Sequence, residues 1–366
     1  MKIESTLEKI SSALHRIQKN SIKNLSLPIL ENILLIAEDN TLTIRSTNLH
    51  VGTEIKISVK VEEKGSVAIK LDLFTSIINS IKNEHSIVLE LKEKTLYIKT
   101  NKSEMEINIY PSDDFPTLPK IKEGLEFIIP IDKFIKGVSS VIYAASLSDI
   151  KPEISSVYIY KKDNELIFVA TDSFRLAEKK IIIKGADDFP GVIIPVKNIQ
   201  ECIKVFNGID DNVVFVVGKN QISITNENIY FTSRIIDGNY PDYNQIIPKE
   251  EKTSVIVLKN EIISSLRLIN VFSDNFNQIL LKTNSKKNII NISSRNVDVG
   301  ENNTDIDAVI SGEDIEMYLN HKYITDSFSS LTGDSLNFSF TEKNKPFILR
   351  SVGDASFLYL IMPMNR

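Results

Sequence analysis

In 366 residues the chain has one cysteine, four histidines and no apolar run long enough to cross a bilayer. Each shortage removes a class of function. A membrane span needs about 18 or more consecutive apolar residues, and none occurs. Met1 to Ile10 also lacks the apolar stretch of a secretory signal, so the expected location is cytoplasmic, away from membranes. The lone Cys202 sits among Ile199, Ile203 and Phe206 at helical spacing and reads as a small buried hydrophobe, not a reactive thiol. His15, His50, His85 and His321 are scattered with no metal-ligand spacing. Strings of the forms Gly-x-x-x-x-Gly-Lys, His-Glu-x-x-His and Gly-x-Ser-x-Gly are absent. No catalytic residue, metal or cofactor is therefore expected. Positive charge is also short: 43 Lys and Arg face 48 Asp and Glu, a net charge of −5, which argues against a nucleic-acid binder that works by attraction alone.

What the chain does have is repetition, with a spacing of roughly 125 residues. Three segments run from a short apolar strand into an amphipathic helix: Ile3 to Ile17, Phe127 to Ala145 and Val255 to Phe272. Each continues through two apolar or alternating runs, at Ile29 to Thr47, Ile154 to Asp172 and Ile279 to Ser294. A second strand and helix are expected in Val67 to Ile81, Val192 to Phe206 and Val309 to Leu319. Each unit closes near an aromatic residue or Met followed by Pro: Phe115-Pro116, Tyr240-Pro241 and Met362-Pro363. Every unit thus reads as two copies of β-α-β-β-β, an α+β chain richer in strand than in helix. Linkers at Leu118 to Gly124 and Ile247 to Thr253 place domains at residues 1–120, 125–247 and 248–366.

Charge is placed more tellingly than it is counted. At about 100° per residue, Leu7, Ile10, Leu14 and Ile17 form one stripe of the first helix, opposite Lys9, Arg16, Lys19 and Lys23. Phe134, Val138 and Val141 oppose Lys133 and Lys136, while Ile199, Ile203 and Phe206 oppose Lys197 and Lys204. Lys82, Arg267 and Lys322 flank their apolar faces. Recurrence at equivalent positions points to a shared basic surface that holds phosphates without reading bases. Acidic pairs lie at Asp113-Asp114, Asp187-Asp188 and Asp210-Asp211, in turn-like settings where Asp bonds its own backbone. They leave a metal-dependent nuclease open as an alternative. A β-rich scaffold that never meets nucleic acid is another.

The most specific strings are Leu27-Pro28-Ile29-Leu30, Asp114-Phe115-Pro116, Ala170-Thr171-Asp172-Ser173-Phe174-Arg175-Leu176-Ala177, Asp237-Gly238-Asn239-Tyr240-Pro241-Asp242-Tyr243 and the terminal Met362-Pro363-Met364. In this order, within the threefold repeat and over the whole chain, they resemble the bacterial sliding clamp family, the beta subunit of DNA polymerase III. The resemblance implies a head-to-tail homodimeric ring, helices on the inner face and antiparallel sheets outside, encircling duplex DNA without regard to sequence and lending processivity. It implies no catalysis. The partners it implies are the replicative polymerase catalytic subunit, an ATP-dependent clamp loader, and translesion polymerases and mismatch-repair proteins that bind through short linear peptides. It places the protein in the cytoplasm, at the nucleoid.

By the same resemblance, partner peptides enter a pocket made by Ile154, Thr171, Ser173, Phe174, Arg175, Leu176, Pro241, Ile246, Leu360, Met362, Pro363, Met364, Asn365 and Arg366, with Arg175 orienting polar peptide groups. Ser173-Phe174 stands where the family commonly has Gly-His, and Asn365 where it has Arg. The ring joint maps to Lys102, Met105 and Ile107 on one side and Val271, Phe272, Asp298 and Glu301 on the other, with Glu104 where a basic residue is common.

Overall fold

The computed structural model describes residues 1–17, 27–183 and 189–364. Six β-α-β-β-β half-units follow one another. The first is β1 (Lys2–Thr6), α1 (Leu7–Ile17), β2 (Asn32–Glu38), β3 (Thr41–Thr47) and β4 (Val51–Ser58), with a short extra strand β5 (Lys60–Glu63) behind it. The second is β6 (Gly65–Lys70), α2 (Leu71–Ser80), β7 (Ser86–Lys92), β8 (Thr95–Lys99) and β9 (Glu104–Asn108). Next come β10 (Leu125–Pro130), α3 (Ile131–Ser139), β11 (Ser156–Lys162), β12 (Glu165–Thr171) and β13 (Arg175–Ile182). The fourth is β14 (Phe189–Pro195), α4 (Val196–Phe206), β15 (Asn212–Val217), β16 (Gln221–Thr225) and β17 (Ile229–Arg234). The fifth is β18 (Thr253–Leu258), α5 (Lys259–Asn270), β19 (Gln278–Asn284), β20 (Ile289–Asn296) and β21 (Gly300–Ser311). The last is β22 (Glu316–Asn320), α6 (His321–Ser327), β23 (Ser335–Phe340), β24 (Phe347–Ser351) and β25 (Phe357–Ile361).

Local chemistry explains these elements. In α1 the buried residues are Ile10, Ala13, Leu14 and Ile17, the spacing of one helical face. Asp39 and Asn40 both take positive φ, which lets β2 turn tightly into β3. Asn320 accepts a hydrogen bond from the Lys322 amide and starts α6. The expected strand and helix over Val309 to Leu319 are displaced: that stretch holds the end of β21 and most of β22, and the helix begins at His321. Met317 and Leu319 are buried while Glu316 is exposed, so an alternating strand precedes the helix.

The chain divides into two compact units, residues 1–132 with 197–235 and residues 133–196 with 236–366. The first holds a five-stranded sheet, β5-β1-β7-β8-β9, and an eight-stranded sheet, β10-β15-β16-β17-β4-β3-β2-β6. The second holds one twelve-stranded sheet, β14-β11-β12-β13-β25-β24-β23-β18-β21-β20-β19-β22. Both large sheets are built across repeats. β17 pairs with β4, Phe231 opposite Thr53, and β13 pairs with β25, Leu176 opposite Leu360. Such pairing covers strand edges that would otherwise invite aggregation. Beneath the twelve-stranded sheet, Phe134 of α3 meets Phe168 of β12 edge-on, with ring centroids 5.8 Å apart. Gly137 permits that approach, since a Cβ there would overlap the Phe168 ring. Among the described residues no helix is long and apolar enough to cross a membrane.

Candidate functional site

The turn from β12 to β13 is fastened by its own side chains. Thr171 Oγ1 donates to the Arg175 carbonyl at 2.6 Å and accepts from the Ser173 amide at 3.1 Å. Asp172 Oδ1 accepts the amides of Phe174 at 2.9 Å and Arg175 at 3.0 Å. Ser173 is forced to φ +77°, a region where a side chain is strained and glycine is not. The same turn recurs one repeat earlier: Thr47 Oγ1 bonds the Val51 carbonyl, Asn48 Oδ1 takes two amides, and Leu49 has φ +70°.

Neighbours in a strand point to opposite faces of the sheet, and the residues expected to line the pocket divide accordingly. Leu176 and Leu360 enter a buried cluster with Ile167, Val169, Tyr243, Ile348 and Leu358, against which Met362, Ile247 and Tyr240 pack. Phe174 is 60 % exposed beside this cluster in sequence, and its carbonyl accepts the Met362 amide at 2.8 Å, tying the C-terminal tail to the turn. Met364 is tied in turn to the Tyr318 carbonyl at 2.8 Å. Ile154 and Pro363 are half-buried and Pro241 is exposed. Ile246 is 46 % exposed, whereas its neighbour Ile247 packs on the cluster. Asn365 and Arg366 lie outside the described residues.

Arg175 departs from its expected role. Only 9 % exposed, it sends Nε to Asp172 Oδ2 at 2.9 Å and Nη1 to Asp326 Oδ2 at 2.6 Å, and its guanidinium lies 4.8 Å from the Tyr323 ring centroid. Burial works against its charge, but Tyr359, Asp326 and Asp172 outweigh it and hold the pKa above the ordinary arginine value. The side chain is a structural tie, not a free hand for a peptide.

A tyrosine group, which the sequence reading passed over, supports the same face. Tyr158 stacks on Tyr240 at 4.7 Å and on Tyr160 at 5.1 Å. The Tyr243 hydroxyl donates to Glu178 and lies 2.8 Å from the Tyr160 hydroxyl. Glu178 and Tyr160 together push the Tyr243 pKa further up than burial alone would, so its hydroxyl stays protonated. The tyrosines of Tyr158-Ile159-Tyr160 were legible as a same-face pair, because they stand two apart in a strand. Asp326 offered no signal.

The basic residues differ in their surroundings. Lys82, Lys133, Lys136, Lys197, Arg267 and Lys322 are exposed. Lys9 bonds the Ser58 carbonyl at 3.0 Å, and Lys204 pairs with Glu201 at 2.8 Å. Arg16 is the exception to the expected basic face: Nη1 donates to the carbonyls of Val205 and Asn207, each at 2.8 Å, and caps the C-terminal end of α4. Burial lowers its pKa. Lys19 and Lys23 lie outside the described residues. Among the described residues no group of His, Cys, Asp and Glu is arranged to hold a metal ion.

The residues expected at the ring joint lie on or beside two strands, β9 and β21. β9 ends its sheet, with Lys102 exposed before it, Met105 half-buried and Ile107 buried. β21 pairs with β18 over residues 308–311 and with β20 over residues 300–307. Beside it Val271 is 61 % exposed, Asp298 and Glu301 are exposed, and Phe272 is half-buried. Glu104 pairs with Lys99 at 3.1 Å, so its charge is met within its own sheet.

Comparison with known proteins agrees along the full length. Models of the DNA polymerase III beta subunit match the N-terminal domain at residues 1–119, the central domain at 128–242 and the C-terminal domain at 244–365. The Bacillus subtilis beta sliding clamp is 27 % identical over 380 aligned residues, covering 100 % of both chains. The Buchnera aphidicola beta sliding clamp is 25 % identical, covering 96 % of each. The solved sliding clamp of Bacillus subtilis superposes with a TM-score of 0.95 at 26 % identity, over 100 % of this chain and 99 % of that one. A Pseudomonas aeruginosa clamp bound to griselimycin shares the fold, with a TM-score of 0.95 at 22 % identity and 100 % of both chains covered. The fold is thus that of a DNA sliding clamp, a non-catalytic subunit that makes a polymerase processive. The chain belongs to the DNA polymerase III beta subunit family. The nuclease and scaffold alternatives fall with that assignment.

Proposed function

We propose that two copies, each of three clamp domains at residues 1–120, 125–247 and 248–366, close head to tail around duplex DNA in the cytoplasm and slide along it. Lys9, Lys82, Lys133, Lys136, Lys197, Lys204, Arg267 and Lys322 would face the duplex, with Lys19 and Lys23 as further candidates and Arg16 behind them as the α4 cap. Weak, interchangeable phosphate contacts suit sliding, since an acidic protein held by topology has no need of tight binding. The joint would pair β9 with residues 300–307 of β21 in the second copy, the stretch that β18 does not cover, the exposed Val271 adding apolar contact.

The face at Leu176, Leu360 and Met362 would receive the apolar anchors of short peptides from the polymerase, the clamp loader and proteins of translesion synthesis and mismatch repair. The observation that carries this reading is the tail itself: Met362 and Met364 are hydrogen-bonded into place, Met362 against a buried Leu cluster, with both side chains half-buried and adaptable. The ring is tested by loading the protein on a nicked circle with its loader and then linearising the DNA. Release on linearisation is expected; retention on linear DNA would sink the topological reading.

A further inference from the structure

The turn and tail that form the proposed peptide pocket both hang on one short segment, Tyr318 to Asp326. The Tyr318 carbonyl takes the Met364 amide at 2.8 Å. The Tyr323 carbonyl accepts the Tyr359 hydroxyl of β25 at 2.8 Å, and the Tyr323 ring lies against Arg175. Asp326 Oδ2 receives Arg175 Nη1 at 2.6 Å. Arg175 in turn grips Asp172, whose other oxygen holds the amides of Phe174 and Arg175. An unbroken chain of charge-assisted contacts therefore runs from α6 to the turn that carries Thr171, Phe174 and Leu176. Arg175 leaves β13 on the face opposite Leu176, so this chain reaches the pocket from behind.

We infer that Asp326 is a positioning residue for the partner pocket, holding the turn from Thr171 to Leu176 through Arg175. The inference rests on reading that face as the peptide site. Asp326 is not a member of the buried cluster, and its side chain is 42 % exposed, so its loss removes a support without emptying the core. Released from Asp326, Arg175 keeps a single carboxylate partner, and the turn keeps its own Thr171 and Asp172 bonds but loses its tie to α6. A pocket that must be organised at the moment of binding binds more weakly than one already in shape.

The probe is a fluorescein-labelled peptide from the clamp-binding segment of the replicative polymerase catalytic subunit, titrated by anisotropy against the dimer. Asp326→Ala is expected to weaken binding about ten-fold, as loss of a hydrogen bond to a charged group does. Dimerisation and retention on circular DNA should stay unchanged. Asp326→Glu should recover most of the affinity, and Asp326→Asn, close in size and still an acceptor, serves should the alanine variant fail to fold. Combining Arg175→Ala with Asp326→Ala should cost no more than the stronger single change, because both break one chain of contacts. Unchanged affinity in Asp326→Ala, or in Asp326→Asn where the alanine variant does not fold, or full additivity in the double, overturns the inference and leaves the pocket standing. No binding by the unaltered protein removes the pocket, and this inference with it.

Discussion

Burial of His321 ties the third repeat to pH. The ring is 2 % exposed, at the first residue of α6, and neither nitrogen has a hydrogen-bond partner in the protein. Burial first, then Lys322, lowers its pKa from the ordinary 6.5, with Asp326 and Asp274 pulling weakly the other way. The unfolded chain therefore takes up the proton first as the pH falls. Stability is complete above about 6.5 and declines as the pH drops toward the folded value. Urea denaturation at pH 7.5 and pH 5.5 should show the protein losing stability over that interval and His321→Phe losing less. An equal loss in both would mean that other groups set the acid limb. At the same scale, residue type alone foretold that Cys202 is buried, and burial raises its thiol pKa, so it stays protonated. For Arg175 and Arg16 a sequence says that a guanidinium is present and not which carboxylate or carbonyl reaches it.

The helices show what periodicity can and cannot tell. α1 and α4 bury residues at three- and four-residue spacing and were legible from sequence. α6 spans seven residues, under two turns, too short for a period to emerge, and the strand before it was mistaken for helix. Packing at element scale also depends on single atoms. Adding a methyl at Gly137 would drive α3 off Phe168, so Gly137→Ala should destabilise the protein by about 1–3 kcal/mol, the usual cost of overpacking a core. Guanidinium titration followed by circular dichroism measures it. An unchanged midpoint would show that α3 and the Phe168 ring shift freely. The tyrosine group depends on the segment Tyr240 to Ile247 folding back over the sheet, a long-range contact that local pattern does not encode.

At the scale of the whole molecule, the proposed assembly rests on β9 and β21. Val271 is 61 % exposed, so Val271→Asp should leave each chain folded while placing a charge in the proposed joint. Loss of even about 1.4 kcal/mol there raises the dissociation constant ten-fold. Sedimentation velocity across a dilution series should show dimers giving way to monomers at higher concentration than in the unaltered protein. No shift would move the joint elsewhere.

The repeated β-α-β-β-β pattern, the amphipathic helices, the fastened turn at Thr171 and the family resemblance were all local in sequence, and the chain alone determined them. Tertiary structure decided which repeats share a sheet, through β4 with β17 and β13 with β25. It also decided that Arg175 serves Asp326 instead of solvent, and that Ile247 meets the Leu cluster while Ile246 stays exposed. The reason is physical: period and turn chemistry act between near neighbours, whereas strand partnership and the pairing of charges depend on groups brought together from more than a hundred residues apart.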